Sequence, residues 1–147
     1  MFLEAKNALV FKKGNETLMI EPWGENSFRV RSTMEPNFID RDWALTEKIN
    51  HGNAKISVTE QGASIINGKI EAKVNNNGII TFYKDGVRIL HEYHRSYDPS
   101  ATKESCCTKV INRQWQGIIG GDYKLSVRFE SNDSEKIFGM GQYQTPY

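Results

Sequence analysis

Residues 63–90 read ASIINGKIEAKVNNNGIITFYKDGVRIL, and this stretch decides the fold. Four short apolar segments, Ala63–Ile66, Lys69–Val74, Ile79–Tyr83 and Val87–Leu90, are separated by Asn67-Gly68, Asn77-Gly78 and Asp85-Gly86. Asn-Gly and Asp-Gly pairs readily supply the positive φ angles of a tight hairpin, so each marks a chain reversal. Within the second segment Ile70, Ala72 and Val74 oppose Glu71 and Lys73, the period of a half-buried strand. The spacing predicts an antiparallel meander.

The same alternation extends outward. Phe28 and Val30 oppose Arg29 and Arg31, and Leu125, Val127 and Phe129 oppose Ser126, Arg128 and Glu130. Lys13-Gly14-Asn15 reads as a further hairpin turn joining Ala8–Lys12 to Glu16–Glu21. No long segment repeats apolar residues at helical spacing, although Arg41 to Asn50 has room for a short helix or an irregular loop. Sheets with one apolar face must cover each other, so the class is all-β, an antiparallel β-sandwich. Phe28, Val30, Ile70, Val74, Ile80, Phe82, Leu125, Val127 and Phe129 are expected inside it. Met34–Asn53 and His91–Lys109 read as long loops or loops carrying an edge strand.

Composition narrows the partners. The chain has 147 residues, the size of one domain, and 19 Lys+Arg against 18 Asp+Glu leave a net charge of +1. The charges are scattered, so neither nucleic acid nor a membrane surface is expected. Residues 1–13 never sustain the apolar run of a signal peptide or membrane span, which with Met1 as the native start implies a cytoplasmic protein. Cys106 and Cys107 are adjacent, a spacing that makes an ordinary disulfide difficult, and a reducing compartment fits them.

Candidate chemistry is sparse. His91 and His94 form an H-x-x-H pair, but after a strand such residues face opposite sides and do not share a metal, so none is expected. Asp40 and Asp42, with Glu35 and Glu47 nearby, read as a solvated acidic loop rather than a glycosidase pair. No phosphate-binding loop or nucleophile elbow is present, Gly139-Met140-Gly141 has no helix behind it, and no cofactor is expected. Trp23 in Pro22-Trp23-Gly24 reads as a core cap; for Trp43 and Trp115 packing and sugar stacking are both open.

Three stretches together resemble the N-terminal domain of glycoside hydrolase family 31, the α-glucosidases and α-xylosidases. They are Leu18–Gly24 running into Ser27–Arg31, the hairpin series Gly68–Leu90, and Glu135-Lys136-Ile137-Phe138-Gly139-Met140-Gly141-Gln142 after a strand placed at Tyr123–Glu130. The resemblance implies a galactose-mutarotase-like sandwich spanning residues 1–147, truncated at its C-terminal end. It also implies a parent whose retaining chemistry uses two carboxylates on a (β/α)8 barrel that is not in this chain, so no residue here is expected to be catalytic. Glycines at 139 and 141 allow close packing that aims the following loop. By that resemblance Gln142, Tyr143 and Gln144 are the substrate-loop candidates, shaping the site beside α-linked oligosaccharide once the barrel of the same parent chain is present. The Gln at 142 replaces the Glu of many members. A free-standing carbohydrate-binding module is the alternative, and truncation would expose a sheet edge through which the isolated chain could form a homo-oligomer.

Overall fold

The computed structural model describes residues 1–5, 7–39, 54–96, 109–131 and 134–136. Strands β1 (Phe2–Ala5), β2 (Ala8–Lys13), β3 (Glu16–Pro22) and β4 (Phe28–Thr33) form one antiparallel sheet in sequence order. A second antiparallel sheet, also in sequence order, contains β5 (Lys55–Thr59), β6 (Gly62–Asn67), β7 (Ile70–Asn75), β8 (Ile80–Lys84) and β9 (Val87–His91). The meander is therefore present, and it gains β5 as an outer strand. Gly14, Gly68, Asp85 and Gly86 all take positive φ at the reversals. A β-bulge between Phe82 and Tyr83 shifts the β8–β9 register by one residue.

The two sheets face each other across one core. Leu9, Phe11, Leu18 and Ile20 come from the first sheet, and Ala63, Ile65, Ala72, Val74 and Ile80 from the second. Each fully buried Leu or Ile contributes about 1.5–3 kcal/mol relative to exposure. Gly78 has positive φ and lies against the Phe11 ring, where a Cβ would overlap the aromatic edge. At one end Asn67 closes the sandwich. Its side-chain amide donates to the carbonyls of Gly24 and Ser27, both at 2.9 Å, while Asn26 Oδ1 accepts from the Lys69 backbone N–H at 2.8 Å. The Pro22-Trp23-Gly24 turn and the Asn67-Gly68 turn thus bind each other. At the other end Ala54 N–H donates to Asn7 Oδ1 at 3.0 Å, fixing the entry to β5.

A two-stranded ribbon, β10 (Arg113–Gly117) with β11 (Tyr123–Val127), completes the described elements. Its tail reaches the end of β9 through an isolated bridge between Glu92 and Phe129, and Tyr93 N–H donates to Arg128 O at 2.8 Å.

The expected interior is correct at its centre and wrong at one margin. Val74 and Ile80 are buried, and Phe28, Phe82, Ile70 and Leu125 are half-buried. Val30, Val127 and Phe129 are instead exposed, at 41%, 40% and 45%. Alternation identifies the face toward which a side chain points. It does not tell whether another layer lies over that face, and here the ribbon stands beside the sandwich rather than across it. The strand expected over Tyr123–Glu130 also ends its ladder at Val127. The possible helix at Arg41–Asn50 lies outside the described residues.

Candidate functional site

Much of the expected site lies outside the described residues: Gln142, Tyr143 and Gln144, the pair Gly139 and Gly141, Asp40, Asp42, Glu47, His51, Trp43, and both cysteines. Of the other candidates, Glu35 is exposed beyond β4, its backbone N–H donating to Thr33 Oγ1 at 3.0 Å. His91 Nδ1 shares a 2.7 Å hydrogen bond with Thr81 Oγ1, and its Nε2 lies 4.0 Å from Glu130 Oε1. Among the described residues no three His, Cys, Asp or Glu side chains gather as a metal site. No helix among them is long and apolar enough to cross a membrane.

The tryptophans have neighbours of their own. The Arg29 guanidinium lies 5.2 Å from the centroid of the Trp23 ring, a cation–π arrangement that covers one side of the indole. Trp115 meets Tyr123 edge-on at 6.0 Å across the β10–β11 ribbon.

The chemically dense place in the described structure was not foreseen. Between His91 and His94 of the H-x-x-H motif, Glu92 turns inward and is 2% exposed. Its carboxylate accepts from Arg113 Nη1 at 2.6 Å, from Asn112 Nδ2 at 2.6 Å and from the Ile80 backbone N–H at 2.9 Å. Arg113 also donates from Nη2 to Gly78 O and from Nε to Glu16 Oε1, each at 2.6 Å, and Glu16 accepts from Ser32 Oγ at 2.7 Å. One guanidinium therefore joins the ribbon, the first sheet at Glu16 and the second sheet at Gly78 and Glu92. A buried charge requires such pairing, and charge-assisted bonds of this length are the strong kind. The side-chain atoms in this network are matched with partners, so it has the chemistry of a structural pin rather than of a reacting pair.

Above the pin is an apolar groove of about 280 Å³, lined by Leu18 and Val30 of the first sheet, Phe82 and Leu90 of the second, and Leu125 and Val127 of the ribbon. A second concavity of about 340 Å³ lies over Ser57, Ser64, Lys73 and Thr81 on the second sheet. Its hydroxyls and amine are those of an ordinary solvated sheet face.

No family model matches the chain. The chain is similar to an uncharacterized family 31 glucosidase, ORF2, of Pseudescherichia vulneris, with 34% identity over 99% of this chain and 29% of that protein. Its structure is similar to the crystal structure of a GH31 α-xylosidase from a soil metagenome, complexed with xylose. There the TM-score is 0.85 at 38% identity, covering 100% of this chain and 23% of that one. The chain thus spans less than a third of the length of each relative.

Proposed function

The chain belongs to glycoside hydrolase family 31 as an N-terminal domain, and from that premise we propose that it is the β-sandwich wall of a longer retaining α-glycoside hydrolase. On this reading residues 1–147 form part of a galactose-mutarotase-like domain that packs on the catalytic barrel of the same parent chain. The segment Gln142, Tyr143 and Gln144 then helps to shape the substrate site, and the parent cleaves α-linked glucosides or xylosides. The observation that carries the reading is the match itself: all of this chain superimposes on less than a quarter of an α-xylosidase.

The described side chains support a non-catalytic role. A retaining mechanism needs two carboxylates roughly 5–5.5 Å apart with room for a sugar between them. Glu16 and Glu92 do approach one another, but both are held by Arg113, which occupies the space between them. A free-standing sugar-binding module would present open aromatic platforms; Trp23 is faced by Arg29, and Trp115 is packed on Tyr123.

The test is kinetic. Gln142→Ala and Tyr143→Ala in the full-length gene product are expected to lower kcat/KM for α-glycosides with the melting temperature unchanged. Isothermal titration of the 147-residue chain with maltose or xyloglucan oligosaccharides is expected to show no binding. Unchanged kinetics in both variants, or binding by the chain alone, would refute the substrate-shaping role.

A further inference from the structure

The groove above the Arg113 pin is built to receive something. Its floor includes Leu18 and Ile80, each 1% exposed, yet Val30, Val127 and Phe129 stand open around it. Along one side runs β4, whose strand partner among the described residues is β3 alone. Edge strands that face water are normally blunted by Lys, Pro, an inward charge or a bulge. β4 carries no such guard toward the groove, where it presents Phe28, Val30 and Ser32. Its two arginines lie on the opposite face and reach Glu21, Arg29 at 3.6 Å and Arg31 at 3.1 Å.

The floor also argues about chemistry. The Arg113 and Glu92 side chains are already matched within the protein, so a sugar hydroxyl or other polar ligand would find its partners there taken. An apolar side chain would lose nothing on entering. Pairing of two copies through β4 would bring Arg29 and Arg31 of both onto one face of the joined sheet, a like-charge arrangement that opposes such a dimer.

We propose that this groove seats an extended strand from the remainder of the longer family 31 protein. The strand pairs with the free edge of β4 and lays alternate apolar side chains over Leu18, Ile80, Val127 and Phe129. The inference rests on the reading of this chain as one domain of that protein. Its support is that more than two thirds of each relative lies outside the matched part.

Thiol accessibility tests it. Val30→Cys and Val127→Cys are introduced singly with Cys106 and Cys107 changed to Ser, and Ile119→Cys, at a position 104% exposed, serves as the open reference. Maleimide labelling is timed in the 147-residue chain and in the full-length product. In the full-length product the thiols at 30 and 127 should react at least about tenfold more slowly than the one at 119, and in the short chain at comparable rates. Equal rates in the full-length product would overturn the proposal while leaving the domain reading intact. Protection in the short chain at every concentration would show that the chain's own residues fill the groove. Protection that rises with concentration would assign the groove to a second copy. A native gene product no larger than the 16.8 kDa of this chain, seen by intact mass on the same samples, would instead remove the domain reading itself.

Discussion

Replacing Arg113 with Met removes the cation that joins three parts of the structure and keeps most of the side-chain volume. The Arg113 side chain is 4% exposed and that of Glu92 is 2% exposed, so little water screens the pair. After the substitution Glu92 keeps the Ile80 N–H and the Asn112 amide but loses its counter-charge, and Gly78 O loses a donor. Breaking a buried pair from one side costs about 3–5 kcal/mol, because a charge is left uncompensated. Against a total stability of about 5–15 kcal/mol that is a large share. With an m-value of about 2 kcal/mol/M, the urea midpoint should fall by roughly 2 M. Glu92→Met should cost a similar amount, and the double variant should be less destabilised than the sum of the singles, with a coupling of about 1–3 kcal/mol. Circular dichroism and tryptophan fluorescence during urea titration of the four proteins measure the cycle. A single Arg113→Met variant within about 1 kcal/mol of the parent, or strict additivity, would refute the view that Arg113 pins the ribbon to the sandwich.

Asn67→Ala deletes the amide that binds Gly24 and Ser27, leaving two carbonyls short of a donor. It should cost about 1–3 kcal/mol, read as a drop of several degrees in melting temperature. Ile65→Asp should prevent folding of the chain, since Ile65 is wholly buried in the core and an unpaired carboxylate there has no partner. Val127→Asp in the same chain should be nearly neutral, within about 0.5 kcal/mol, because Val127 sits at the open rim; thermal denaturation of the two variants side by side distinguishes buried from rim positions.

Legibility in the sequence followed the physics of each element. The β6–β9 meander was readable because its turns demand special backbone angles, and Gly68, Asp85 and Gly86 adopt them. Strands β1, β5 and β10 gave weak signals, since an outer strand or a ribbon with mostly exposed side chains has no apolar face to alternate. The Glu92–Arg113 pin was not readable. Buried charges look like surface charges in a linear sequence, and the two residues become partners only once the ribbon meets β9. Its one local hint was a charged residue directly following the apolar run Val87–Leu90. Val30, Val127 and Phe129 were assigned the correct direction and the wrong burial, because closure of a groove depends on elements that local alternation does not report. The substrate-loop candidates came from the family resemblance rather than from residue spacing, as did the expectation that no catalytic pair is present.

The central claim is that this chain is a non-catalytic domain whose activity depends on the rest of its parent. Turnover of p-nitrophenyl α-xyloside and α-glucoside tests it most directly, with the purified 147-residue chain and the full-length gene product assayed together. Hydrolysis with retention by the full-length product, and none by the chain, is the predicted result. Turnover by the chain itself that survives further purification and disappears in Asp40→Asn or Asp42→Asn would contradict the account and make the acidic loop the active site.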